Sequence, residues 1–139
     1  MPLKRSVTRS RGAAARPNSL SNAVGIYAVE DVLLVSIKDD ITDSDVIELQ
    51  DGLSEEVVRT GARGVVIDIS ALDIVDTFVG RIFAQLSGVA KLLDAETYIV
   101  GMRPAVAMTL VELGMTLPES NMALSVSQAL RRIRANRTR

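Results

Sequence analysis

The sequence predicts an α/β domain: a mixed four- to five-stranded sheet with about four helices packed mainly on one face. Three observations carry this reading. Two apolar runs, Val24–Val29 and Val32–Ile37, are separated only by Glu30-Asp31, which is hairpin spacing. Beyond them, short apolar runs alternate with stretches of helical period, the pattern of strands joined by crossover helices. Finally, Val65–Ile69 is almost continuously apolar, as a strand covered on both faces must be.

Each element has a local cause. After the hairpin, Thr42 to Thr60 carries Val46, Leu49, Leu53 and Val57 on one helical face. Thr42 or Asp43 is suited to cap its start and Gly61 to end it, while Gly52 weakens it by about 1 kcal/mol. The strand Val65–Ile69 leads to a helix from about Thr77 to Leu93, in which Phe78, Val79, Ile82, Phe83, Leu86, Val89 and Leu93 share a face. Thr97–Val100 reads as a strand stopped at Gly101. Pro104 fits the first turn of a helix over Ala105–Leu113, and Gly114 closes it. A short strand near Met122–Leu124 precedes a last helix, whose Ser125-Val126-Ser127-Gln128 has capping-box spacing. The order is β-β-α-β-α-β-α-β-α.

Residues 1–22 have no hydrophobic period and are rich in Ser, Arg, Ala and Pro, so they read as a disordered basic tail. The domain is expected over 23–135, with a disordered end at 136–139. The 139 residues suffice for one core, but with 47% apolar and only 3% aromatic residues it must be built from Val, Ile, Leu, Ala and Met. No Cys and no His are present, which removes the thiolate nucleophile, the commonest general base and the usual zinc ligands. The chain is therefore not expected to be an enzyme, nor to hold a metal or cofactor. No apolar run approaches the roughly 18 residues of a membrane span, and the basic start lacks a signal-peptide core. A cytoplasmic protein is expected.

A net charge of −1 hides a segregation of charge. Five basic residues and no acid lie in 1–22, and five more with no acid in 131–139; the body between holds all 17 acids and six bases. The basic ends lack aromatic residues for stacking, and the acidic body repels a polyanion, so nucleic acid is not the expected partner. A tail lying on an acidic neighbouring surface is.

The most informative stretch joins Gly64–Ser70 to Ala71-Leu72-Asp73-Ile74-Val75-Asp76-Thr77-Phe78. It places the Thr77 hydroxyl at the positive end of a helix dipole beside a carboxylate. Such a hydroxyl has two jobs open to it, capping the helix and accepting a phosphate, and Thr77 is expected to do both. Asp73 and Asp76, three apart, have the spacing of an acid–base pair but no aromatic-walled pocket beside them. They read instead as helix caps and the rim of a protein-binding surface. Along the following helix the small residues Gly80, Ala84, Ser87 and Gly88, with Lys91, form either a docking face or a plain solvent face. The acidic run Asp39-Asp40-Ile41-Thr42-Asp43-Ser44-Asp45 lacks the central glycine and terminal Glu of a calcium loop.

Three segments together resemble a known family: Gly61-Ala62-Arg63-Gly64-Val65-Val66-Ile67-Asp68-Ile69, then Val75-Asp76-Thr77-Phe78, then Arg103-Pro104-Ala105-Val106-Ala107-Met108-Thr109-Leu110-Val111-Glu112-Leu113-Gly114. They look like the STAS domain of bacterial anti-sigma-factor antagonists over about residues 24–134, and within it like the small stressosome scaffold subunit of RsbS type. The resemblance implies a STAS fold and a non-enzymatic scaffold that sequesters a switch serine/threonine kinase of RsbT type. It implies that phosphorylation of Thr77 releases the kinase, with Asp73, Asp76, Thr77 and Gly80 at the partner surface. It further implies sensor-bearing STAS paralogues of RsbR type, a phosphatase of RsbX type, and a homo- and hetero-oligomer. The alternative within the family is a stand-alone antagonist that binds an anti-sigma kinase in a small complex. This chain departs from the scaffold type in carrying Thr, where that type carries Ser, and in its basic N-terminal extension.

Overall fold

The computed structural model describes residues 24–115 and 121–137. The tail expected at 1–22 lies outside the described residues, as do the last two positions of the expected C-terminal end. Five strands form one sheet: β1 (Val24–Val29), β2 (Val32–Ile37), β3 (Gly64–Asp68), β4 (Glu96–Val100) and β5 (Asn121–Ala123). They lie in chain order, β1 antiparallel to β2 and every later pair parallel. The parallel pairs require crossovers, and the helices supply them: α1 (Asp43–Thr60), α2 (Thr77–Leu92) and α3 (Pro104–Glu112), with α4 (Val126–Arg137) closing the chain.

The alternation of strand side chains divides the core in two. Leu33, Val35, Ile37, Val65, Ile67 and Ile99 point to one side, where they meet α1, α2 and α3. Val32, Val66, Tyr98 and Val100 point to the other, where Ala129 and Ile133 of α4 cover them. Three helices on one face and one on the other is the expected layering. It explains why β3 reads as continuously apolar: Val65, Val66 and Ile67 are all fully buried, on alternating sides.

The caps follow from sequence. Thr42 Oγ1 accepts from the Asp45 N–H at 3.2 Å while the Asp45 carboxylate accepts from the Thr42 N–H at 2.9 Å, a reciprocal capping box. Gly61 ends α1 with φ 67°. At α4 only half of the expected box forms. Ser125 Oγ accepts from the Gln128 N–H, whereas the Gln128 side chain turns one residue further back, to the Leu124 N–H at 2.8 Å. Helix α4 also runs on to Arg137, so the expected boundary at 135 falls inside a helix; Asn136 is tied there by two hydrogen bonds to the Glu96 carboxylate. Among the described residues no helix is long and apolar enough to cross a membrane.

Candidate functional site

The loop from β3 to α2 is pinned from below by its own apolar residues. Leu72 is fully buried and Val75 nearly so, and the Leu72 N–H bonds to the Ile69 carbonyl at 2.9 Å. Burial at 72 and 75 forces the intervening residues outward, so Asp73 is exposed and Ile74 is 79% exposed.

Side chains from two other connections clamp this loop. Arg103, in the β4–α3 connection, pairs with the Asp73 carboxylate and donates its second terminal nitrogen to the Ser70 carbonyl at 2.9 Å. Asp39, in the β2–α1 connection, accepts from the Asp73 N–H at 3.2 Å. Ser70 is folded back so that its N–H reaches Asp68 Oδ1 at 2.9 Å. Gly101 makes the close approach possible: at φ 78° it lies where a Cβ would stand 2.9 Å from Ser70 Cβ and 3.0 Å from Asp68 Oδ1.

Helix α2 opens on a side-chain cap. Asp76 is extended (φ −126°, ψ −173°), and its Oδ1 accepts from the Val79 N–H at 3.0 Å. Thr77 is therefore the first helical residue and not the cap, which corrects the expectation that its hydroxyl serves both purposes. One residue occupies the N-cap, and the carboxylate at 76 already satisfies the donor at 79. The Thr77 side chain is exposed, and among the described residues its hydroxyl has no hydrogen-bond partner. Beside it lies an open groove lined by Asp39, Ile41, Ile74, Asp76, Phe78 and Val79.

Asp73 and Asp76 are not brought together as a pair. The first is taken by Arg103 and the second by the helix terminus. The carboxylate of Asp45, at the end of the acidic run, belongs to the α1 capping box, and Asp39 serves the loop. Among the described residues no group of three or more Asp, Glu, His or Cys side chains is placed to hold a metal ion.

The small-residue stripe of α2 is split by the fold. Ala84 and Lys91 are exposed and Gly88 is half-buried, but Gly80 and Ser87 are buried. Gly80 faces the end of α3: a Cβ there would stand 2.1 Å from Met115 Sδ and 3.5 Å from Leu110 Cδ2. Its smallness serves a close approach inside the domain, one layer behind Thr77. Sequence reasoning missed Arg103 and Asp39 as parts of the site. Arg103 had a signal, being the only basic residue between Lys91 and Arg131.

The STAS domain family model matches residues 23–129. The RsbS protein of Moorella thermoacetica, solved as a glutamate-for-serine variant, is 34% identical with a TM-score of 0.72, over 84% of this chain and 98% of that one. A chain from the stressosome, a signal integration and transduction hub, is 35% identical with a TM-score of 0.70, over 79% of this chain and 96% of that one. The RsbT co-antagonist protein RsbRA of Bacillus subtilis (strain 168) is 34% identical over 71 residues, 51% of this chain. The matched stretch is about a quarter of that relative, 26% of its length.

Proposed function

This chain belongs to the STAS domain family, and we propose that it works there as a non-enzymatic stressosome scaffold subunit that holds a switch serine/threonine kinase and lets it go when Thr77 is phosphorylated. The observation that carries the reading is the exposed hydroxyl at the first position of α2, without a hydrogen-bond partner among the described residues and beside a cap that another residue already supplies. Because Asp76 does the capping, esterifying Thr77 removes no hydrogen bond from the fold. A phosphate there adds about −1.5 to −2 charges and three strong acceptors. It stands next to Asp76, on a body whose acids outnumber its bases. A partner fitted to the unmodified surface then meets a concentrated negative charge, and its dissociation quickens.

In this reading Asp73, Asp76 and Thr77 form the docking rim and Ile74 its apolar contact. Arg103 and Gly80 hold the rim in place from behind. The likeness to RsbS and to a stressosome chain supports a scaffold in an oligomer, in the cytoplasm. The likeness to RsbRA, an RsbT co-antagonist, supports paralogues of RsbR type beside it and a kinase of RsbT type as the captive. A phosphatase of RsbX type resets Thr77.

The test is phosphate transfer with ATP and an RsbT-type kinase. Intact-mass measurement is expected to show one added phosphate on the wild type and none on Thr77→Ala, with Thr77→Ser restoring it. Equal phosphate gain by Thr77→Ala overturns the assignment.

A further inference from the structure

Helix α1 has an outer stripe that no other described element covers. Ile47, Asp51, Glu55 and Val58 share it, opposite the buried Val46, Leu49, Leu53 and Val57. Ile47 is 61% and Val58 70% exposed, so two large apolar side chains flank two carboxylates in water. Of the six carboxylates of α1, Asp45 serves the capping box and Glu56 pairs with Arg59. Among the described residues, Asp43, Glu48, Asp51 and Glu55 form no ion pair. The face is acidic, partly apolar and open.

The chain itself carries the matching charge, and its topology brings that charge to this helix. Residues 1–22 hold Lys4, Arg5, Arg9, Arg11 and Arg16 and no acid. They lead into Val24, the start of β1, which stands opposite Ile37, the end of β2. From Ile37 the chain runs through Asp39 and Asp40 into α1. Helix α1 also lies over β1, where a Cβ at Gly52 would stand 3.4 Å from Ile26 Cδ1. The basic segment therefore joins the domain near the acidic start of α1. Val24 is eight residues beyond Arg16, up to about 26–29 Å of extended chain, and α1 is about 27 Å long. Arg16 can reach the stripe, and the four bases ahead of it have chain to spare. Tethering favours this helix over that of another copy. A covalently held segment meets its own α1 at an effective concentration in the millimolar range, so a few screened ion pairs and the cover of two apolar side chains suffice. We propose that residues 1–22 dock on their own domain along the outer stripe of α1. Their basic side chains lie on Glu48, Asp51 and Glu55, and Leu3, Val7 and Leu20 shield Ile47 and Val58. The docking goes beyond the proposed switch and does not depend on Thr77.

The test is zero-length carbodiimide cross-linking of the full chain, which joins an amine to a carboxylate in contact with it. Lys4 is the one lysine of the segment. At an ionic strength of about 0.02 M, peptide mapping by mass spectrometry is expected to place its links on Glu48, Asp51 and Glu55. At about 0.5 M, where the screening length is severalfold shorter, their yield is expected to fall several-fold. Arg9→Glu/Arg11→Glu changes no residue of the core and keeps Lys4, and it is expected to lower the same links several-fold in low salt. In an equimolar mixture of unlabelled and heavy-isotope-labelled protein, each linked pair of peptides is expected to carry a single isotope. Links from Lys4 to the exposed Asp94 and Glu112 as frequent as those to α1 overturn the proposal. Yields that ignore both salt and charge reversal overturn it as well. So do linked pairs of which about half mix isotopes, because they assign the segment to a second copy. In each of these cases phosphate transfer to Thr77 stands unaffected.

Discussion

Asp76 is where capping and signalling can be separated. Its Oδ1 accepts from the Val79 N–H at 3.0 Å, and its charge lies at the positive end of α2. The hydrogen bond is worth about 1 kcal/mol, as side-chain caps generally are. The charge–dipole interaction adds about 0.3–1 kcal/mol, toward the low end for so exposed a group. Asp76→Asn keeps an acceptor oxygen and loses only the charge, so its cost is expected below about 0.5 kcal/mol. Asp76→Ala loses both, and its cost is expected at about 1–1.5 kcal/mol. The loss stays local because Val79, Ile82, Phe83, Leu86 and Ala90 still bury the rest of the helix. Urea denaturation of the three proteins, with unchanged slopes, is expected to order the midpoints wild type, then Asn, then Ala. Equal midpoints for wild type and Ala would refute the cap. An Asn variant as weak as Ala would show that the oxygen is not what matters. Both variants keep the Thr77 hydroxyl but alter the docking rim, so both are expected to be phosphorylated, more slowly than the wild type.

The other predictions test the support behind the rim. Gly80→Ala puts a methyl group against Met115 Sδ, the far end of a flexible side chain that must move; with about 1 kcal/mol returned by helix propensity, the net loss read by thermal melting is expected to be no more than about 1 kcal/mol. Arg103→Ala frees Asp73 and the Ser70 carbonyl at an exposed site, so global stability is expected to fall by no more than about 1 kcal/mol, while amide exchange across residues 70–75 quickens. Burial, with Glu96 nearby, holds the Tyr98 phenol above its ordinary value of 10.0. The neutral form is thus favoured in the folded state. Stability is fully present below the unfolded-state value and falls as pH rises through the folded one, and Tyr98→Phe is expected to flatten that alkaline decline in denaturation midpoints. Thr97 is buried on the other side of the same strand, and among the described residues its hydroxyl has no partner; Thr97→Val is expected to be neutral or stabilising by about 1 kcal/mol in urea denaturation.

The elements were legible where a local rule acts alone. The two-residue separation at Glu30-Asp31, the Thr42 cap, Gly61 and Pro104 each act within a few residues, and the element boundaries they mark are close to those observed. The layering was legible because β3 is apolar at successive positions, and only a sheet covered on both sides demands that. What sequence could not supply depends on approach between distant segments. The Arg103–Asp73 clamp spans 30 positions and the Asp39–Asp73 bond 34, and neither has a periodic signature. Gly80 misled for the same reason. Its place in a stripe of small residues suggested an outer surface, but Met115 decides that it faces inward. At Asp76-Thr77 two residues can cap with nearly equal propensity. The backbone angles select the carboxylate, and that selection leaves the hydroxyl free.

A phosphate on Thr77 affects fold and interface by very different amounts. Within the domain, the dipole of α2 favours it by about 0.3–1 kcal/mol. Repulsion from Asp76 opposes it: a double charge about 6 Å from a single one in water costs about 1.4 kcal/mol. The two nearly cancel, and no hydrogen bond is lost, so the modified subunit keeps its stability to within about 1 kcal/mol. At a docked surface water is excluded and the effective dielectric constant falls to about 20. The same double charge about 5 Å from a partner carboxylate then costs about 6–7 kcal/mol, a change of more than ten-thousandfold in affinity. A hydroxyl at the first helical position, with the cap supplied by its neighbour, is the placement that lets one modification leave the subunit folded and still expel a partner. Had Thr77 itself been the cap, phosphorylation would have cost the helix its first hydrogen bond as well.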